Sequence, residues 1–188
     1  MTDDDSAPEA PRRRRPVQRE HLLQVAIRHF ARDAIDLHPD DYLFVAFDSA
    51  QKSTDNQRAR MVSRGVLPGF PDCGLFLNLQ MAVFAEIKWH NGKVSPEQDR
   101  VLSQLRALGH YADVVRTVDE YRKLLNKSSV PLRNNAALIA ADLDLKVQAR
   151  IAAAESRAAS PGGGRVRSAP RFTAGKRLGR RMNLKGMG

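Results

Sequence analysis

The sequence predicts an α/β domain with a leading helix, a mixed β-sheet that contains a charged hairpin, and flanking helices. Three observations lead to this prediction. Apolar residues recur with helical spacing over residues 17–35. Short β-prone runs follow at residues 42–47, 75–79 and 82–88. Helix-start signals then alternate with one more short strand, which is the element order of an α/β fold.

The first helix is predicted over residues 17–35, where Leu23, Ile27 and Phe30 share one face. Glu20 stands at its beginning, where the helix dipole favours a negative charge. The helix dipole alone can explain why an acidic residue stands at this position. The alternative is that Glu20 reaches a metal ion or its bound water. Pro39 then ends the helix before the first strand. The polar residues 48–64 are predicted to form a loop or a short helix.

The hairpin strands, 75–79 and 82–88, carry charges in apolar surroundings. A turn over residues 68–71 leads to Asp72, and the second strand ends in Glu86, Ile87 and Lys88. Strand alternation places Glu86 and Lys88 on one face. Pairing through a turn at residues 78–81 would bring Asp72 opposite them. Buried charges need partners or an ion.

This arrangement predicts a metal site. Two carboxylates with room for water and a substrate phosphate suit Mg²⁺, and an adjacent lysine can orient or deprotonate an attacking water. The chemistry indicated is metal-assisted hydrolysis of a phosphodiester.

Two helix-start signals follow the hairpin. Ser95, Pro96 and Gln98 form a capping-box pattern before a helix that Gly109 ends. A strand is predicted at residues 111–116. Thr117 and Glu120 form a second capping-box pattern, before a helix through about residue 125. Residues 135–159 are alanine-rich and helix-prone. That last helix can pack on the core, pair with a partner subunit, or stay mobile.

The net charge of +10 is concentrated near the C-terminus. Residues 1–150 hold 22 Lys and Arg against 20 Asp and Glu, whereas residues 151–188 hold 9 against 1. We predict disordered tails at 1–16 and 160–188, a core domain at 17–126 and a helical extension at 127–159. A cationic arm favours contact with a nucleic-acid backbone, and a solubilising tail is the alternative.

Composition excludes several protein classes. The chain is 42% hydrophobic and 28% charged, which is typical of a globular protein and not of a fully disordered one. No apolar run approaches the length of a membrane span, and the N-terminus does not read as a secretory signal. Cys73 is the only cysteine, so an internal disulfide and a cysteine-based zinc site are excluded. A reducing cytoplasm is the expected location.

The order of these motifs resembles the PD-(D/E)XK nuclease fold, a restriction-endonuclease-like core. More narrowly, RARMVSRGVLPGFPDCGLFL, AEIKW and SPEQDRVLSQLRALGHYADVVRTVDEY resemble the VRR-NUC family of virus-type replication and repair nucleases. The resemblance covers about residues 20–124. A PD pair or an ExK triplet alone is common, but their combination with the preceding glycine turn and the SPxQ helix start is specific. Members of the family often have an Asn-Gly-type loop after the strand that follows the first helix, whereas this chain reads AFDSAQK there. This departure leaves the role of Asp48 open.

The resemblance implies a DNA endonuclease that uses Mg²⁺ or Mn²⁺ and needs no nucleotide cofactor. It is compatible with specificity for branched or flap DNA in phage or bacterial replication and repair. It implies catalytic roles for Asp72, Glu86, Lys88 and Gln98, and metal ligation by Glu20, Asp72, Glu86 and the carbonyl of Ile87. The candidates for nucleic-acid contact are basic residues: Arg58, Arg60, Arg64, Lys93, Arg177, Arg180 and Arg181.

The sequence leaves two questions open. The same fold could serve as a non-catalytic scaffold that holds DNA with its basic tail. A homodimer is also compatible with the resemblance, because many compact nucleases of this fold dimerise to cut two strands. The helix from residue 135 onward could form that interface.

Overall fold

The computed structural model describes residues 18–47, 54–78 and 81–159. Five helices and four strands lie in these ranges. In chain order they are α1 (Arg19–Ala34), β1 (Tyr42–Ala46), α2 (Asp55–Ser63), β2 (Cys73–Leu77), β3 (Ala82–Ile87), α3 (Pro96–Ala107), β4 (Tyr111–Val115), α4 (Val118–Lys127) and α5 (Ala136–Ala159). A single 3-10 turn, Pro39–Asp41, leads from α1 into β1.

The four strands form one mixed sheet in the order β1-β2-β3-β4. The pairs β1-β2 and β2-β3 are antiparallel, and β3-β4 is parallel. The predicted fold class, with its mixed sheet and flanking helices, is confirmed. Between residues 48 and 64, the described part contains a short helix, α2.

The first hairpin strand begins two residues earlier than the sequence pattern predicts. β2 starts at Cys73 because Cys73 pairs with Ala46 on one side and with Ala85 on the other. This register brings Asp72, the residue before β2, level with Glu86. The prediction used the apolar run alone, and that run does not reveal a partner strand on each side.

Helices cover both faces of the sheet. The larger core joins α1, α4 and α5 to one face, with Phe30, Ile87 and Tyr121 fully buried. The smaller core joins α3 to the opposite face through Phe84 and Leu102. Every residue of β3 is buried, so a charge on this central strand has little access to water.

Helix α5 packs against α1 and α4. Its buried residues Ala136, Ala140, Val147 and Ile151 belong to the larger core. Of the three arrangements considered for residues 135–159, packing on the core is the one observed. None of the helices in the described ranges is long and apolar enough to cross a membrane.

The two helix-start signals differ in outcome. At α3 the capping box is complete, because Ser95 accepts from the Gln98 N–H and Gln98 accepts from the Ser95 N–H. At α4 the Thr117 hydroxyl accepts from the Glu120 N–H at 3.0 Å. The Glu120 carboxylate, however, accepts from the Arg116 N–H at 2.6 Å. The predicted contact between the Glu120 carboxylate and the Thr117 N–H is therefore wrong, because the carboxylate binds the N–H of the preceding residue, Arg116.

Candidate active site

A cleft of about 600 Å³ opens beside the end of β3. The start of α1, the loop before β2, the end of β3 and the first turn of α3 contribute its walls. It is lined by Glu20, Pro68, Gly69, Phe70, Asp72, Glu86, Lys88, Ser95, Glu97 and Gln98. The charged residues singled out in the hairpin therefore share one cavity.

Glu86 lies at the buried wall of this cleft and is 1% exposed. Its Oε1 accepts from the Lys88 ammonium at 2.9 Å and from the Gln98 amide. Its Oε2 is buried and has no protein partner. A carboxylate oxygen in this state is costly, because it has lost water and gained no donor.

Asp72 is fixed beside Glu86 through both its side chain and its backbone. Its Oδ2 accepts from the Ile87 N–H at 2.7 Å. Its carbonyl oxygen accepts from the Phe47 N–H at 2.8 Å and from the Gln24 amide at 3.0 Å. The end of β1 and the side of α1 thus hold Asp72 in place.

Gln24 is a site-supporting residue that the sequence analysis missed. It follows Glu20 by four residues in α1, and residues at this spacing lie on the same face of a helix. The sequence signal that could have indicated Gln24 is its amide side chain, one helical turn after the candidate acid Glu20. Its partner is a backbone carbonyl 48 residues away, which local sequence cannot reveal.

The electrostatics of the cleft reflect two carboxylates in a confined space. Burial, with a smaller contribution from Asp72, raises the pKa of Glu86 to about 7, against the opposing effect of Lys88. Burial also raises the pKa of Asp72, although the Ile87 N–H and Lys88 act in the opposite direction. Glu20 adds to both increases. The cleft is lined by four carboxylates, Glu20, Asp72, Glu86 and Glu97, and by one ammonium, Lys88, so acidic groups outnumber basic ones there.

Glu20 and Ile87 occupy different parts of the site. Glu20 lines the cleft, and its Oε1 accepts from the Trp89 N–H at 3.3 Å. The Ile87 side chain is buried in the larger core, and its backbone N–H binds Asp72. Within residues 18–47, 54–78 and 81–159, no three His, Cys, Asp or Glu side chains form a ready-made metal cage.

The first turn of α3 is held close to the cleft by Gly69. This residue has a φ of +82°, which favours glycine. A Cβ atom at position 69 would lie 2.6 to 2.7 Å from the backbone of Glu97 and Gln98. The loop that carries Asp72 can therefore approach α3 only with glycine at this position.

The predicted nucleic-acid contacts are only partly within the described residues. Arg60 in α2, Arg64 after it, and Lys93 before α3 are exposed. None of these three lines the cleft. Arg58 lies in α2, but its side chain is outside the described part. Asp48, Arg177, Arg180 and Arg181 also lie outside the described residues.

Comparisons with known proteins give one structural relative to report. No family model matches this sequence, and no curated protein matches it. A solved structure similar to this chain is a VRR_NUC domain protein. The two chains are 19% identical, and the match covers 61% of this chain and 89% of the other with a TM-score of 0.42.

Proposed function

We propose that this protein is a nuclease that hydrolyses phosphodiester bonds in DNA with the help of Mg²⁺ or Mn²⁺. One observation carries the proposal: Asp72, Glu86, Lys88 and Gln98 meet in a single cleft, and Glu86 is almost fully buried there. A buried carboxylate with an unsatisfied oxygen, beside a second carboxylate, is a poor structural element. It is a suitable arrangement for a site that receives a cation.

The donor set fits a hard divalent cation. Mg²⁺ is commonly held by one or two carboxylates and completes its shell with waters and substrate phosphate, so a larger protein cage is unnecessary. Asp72 and Glu86 would hold the ion, with the Ile87 carbonyl as a further ligand, and Glu20, which lines the same cleft, would bind the ion or a coordinated water. When bound, the metal would polarise the scissile phosphate and make a bound water more acidic.

The chain's own residues would do the remaining work. The Lys88 amino group lies 2.9 Å from Glu86 Oε1 and is placed to orient the attacking water or, in its uncharged amine form, to accept the proton of that water. Gln98 donates to the same oxygen, and the second oxygen of Glu86 has no protein donor. Exposed Arg60, Arg64 and Lys93 would add contacts to the DNA backbone, with the basic tail as a further contributor.

A cleavage assay tests this proposal. Labelled linear and branched DNAs are incubated with the full chain and Mg²⁺ or Mn²⁺, with EDTA as the metal-free control. We expect cleavage that EDTA stops and that Asp72→Asn reduces to background. Asp113→Asn is the matched control, because Asp113 is a partly exposed carboxylate on β4 that pairs with Arg106 away from the cleft. Undiminished cutting by Asp72→Asn refutes the assignment.

A gel-shift experiment on the same DNAs separates the catalytic proposal from a scaffold. Salt-sensitive binding without any metal-dependent cutting would identify a DNA-binding module that uses the basic residues alone. Cutting of a labelled RNA in place of DNA would redirect the substrate class, because the cleft geometry concerns the phosphodiester and not the sugar.

A further inference from the structure

The turn after β3 joins two parts of the candidate site. Lys88 precedes this turn, and Ser95 and Gln98 follow it at the start of α3. Because Lys88 and Gln98 bind the same oxygen of Glu86, the path of residues 89–94 sets how both side chains approach it. A residue that fixes this turn can therefore act on the site without touching substrate.

Arg116, the first residue after β4, reaches across to this turn. Its Nε donates to the His90 carbonyl at 2.8 Å, and its Nη2 donates to the Gly92 carbonyl at 3.3 Å. One planar guanidinium thus spans two carbonyls separated by a single residue. A lysine cannot reproduce this, because its ammonium lacks the rigid fork of donors.

The backbone of Arg116 is also held in place by hydrogen bonds. Its backbone N–H donates to Glu120 Oε2 at 2.6 Å. The neighbouring Val115 carbonyl accepts from the Lys88 N–H at 3.0 Å. The end of β4 therefore fixes the backbone of Lys88 and, through the Arg116 side chain, the turn that follows.

The turn needs this support because its backbone is strained. His90 has a φ of +44°, a region that residues with a Cβ atom seldom adopt. The Gly92 N–H donates to the Trp89 carbonyl at 2.8 Å, and a Cβ atom on Gly92 would lie 3.1 Å from that oxygen. A tight and strained turn persists where surrounding contacts determine it.

We propose that Arg116 is a positioning residue that holds the 89–94 turn and thereby sets Lys88 and Gln98 against Glu86. Its role at the active site rests on the proposed nuclease function. The guanidinium contacts the His90 and Gly92 carbonyls and neither Asp72 nor Glu86, so it acts through the turn. Misplacing a reacting group by about 1 Å can cost on the order of 100-fold in rate.

Trp89 provides a test that is independent of catalysis. It is the single tryptophan of the chain, it lies in the turn, and its ring centroid is 4.5 Å from that of His90. We expect Arg116→Ala to shift Trp89 fluorescence to longer wavelength and to increase its quenching by acrylamide. Arg116→Lys should give a smaller change of the same sign. The matched control is Arg122→Ala, which removes a partly buried arginine paired with Asp119 in α4 and should leave the Trp89 signal unchanged.

Single-turnover cleavage gives the second readout, with thermal unfolding recorded for each variant. At saturating DNA and metal, we expect Arg116→Ala to lower the rate per folded molecule about 10- to 100-fold, with DNA affinity within about twofold. Arg122→Ala should cleave at the wild-type rate. An unchanged Trp89 signal, or an unchanged rate per folded molecule in a cleaving enzyme, overturns the inference. If the wild type cuts no nucleic acid, the nuclease proposal fails, and the fluorescence result still decides whether Arg116 holds the turn.

Discussion

Helices α3 and α4 begin with the same local pattern but serve different parts of the molecule. Each starts with a hydroxyl residue, Ser95 or Thr117, whose side chain accepts the N–H of the residue three positions later. That third residue is Gln98 in α3 and Glu120 in α4. By sequence alone the two starts are equivalent.

The difference lies in the third residue's remaining contacts. The Gln98 amide closes its capping box and also donates to Glu86, so one side chain joins a helix start to the cleft. Glu120 instead accepts from the Arg116 backbone. At α4 the first N–H groups are bound by Asp144 of α5, at 2.7 and 3.1 Å. The same capping pattern thus contacts the candidate active site directly in α3, whereas in α4 it contacts the residue after β4 and lies beside α5.

Removing the amino group of Lys88, which lies on the α3 side of the comparison, should give the largest effect. We expect Lys88→Met to lower the cleavage rate about 10²- to 10⁴-fold, which is typical of losing a group that handles a proton. DNA affinity should stay within about twofold. Lys93→Met is the control, since Lys93 is exposed in the same loop and should affect binding only. Equal rate losses in the two variants would argue against a special role for Lys88.

The buried carboxylate of the cleft should make the stability of the protein depend on pH. The pKa of Glu86 is raised to about 7 from an ordinary 4.5, so the folded state binds this proton more tightly than the unfolded state. The free energy of unfolding in EDTA should therefore fall as pH rises from about 4.5 to 7, by at most about 3 kcal/mol. Glu86→Gln should lose most of this slope.

Denaturant titrations at pH 5.5 and pH 8 measure this effect for the wild type and Glu86→Gln. Above pH 7 the variant should be the more stable protein, because it no longer buries an ionised group. A pH slope that is the same in both proteins would show that Glu86 does not carry the raised pKa.

The smallest effects compare the two helix starts directly. Gln98→Ala and Glu120→Ala should each cost about 1 kcal/mol in free energy of unfolding, because each removes a capping contact. Gln98→Ala should also lower the cleavage rate by roughly 10-fold, the equivalent of losing one hydrogen bond of about 1.4 kcal/mol. Glu120→Ala should lower the rate less, because Glu120 contacts only the backbone of Arg116 and not the cleft. If Glu120→Ala slows cleavage by the same factor at equal folded fraction, the two helix starts do not differ in function.

Features determined by neighbouring residues could be predicted from the sequence. The Ser95 cap, the glycine that ends α3 and the apolar face of α1 follow from local pattern, and the structure contains all three. Strand alternation was sufficient to place Glu86 and Lys88 on one face and Ile87 on the other.

Features that depend on distant pairing could not be predicted. The start of β2 at Cys73 is set by β1 and β3 together. The partners of Gln24 and Arg116 are backbone carbonyls 48 and 24 to 26 residues away, and backbone acceptors leave no signature in a sequence. Likewise, the apolar stripe of α5 does not reveal that it packs on α1 and α4 of its own chain.

Locating a bound divalent metal ion tests most directly whether Asp72 and Glu86 form a metal site. Crystals of the full chain are soaked in Mn²⁺, and anomalous diffraction is collected at the manganese absorption edge. We expect a peak within coordination distance of the carboxylates of both Asp72 and Glu86, and no peak there in crystals of Asp72→Asn. Manganese bound elsewhere, with these two carboxylates free of metal in an enzyme that cleaves DNA, would contradict this prediction.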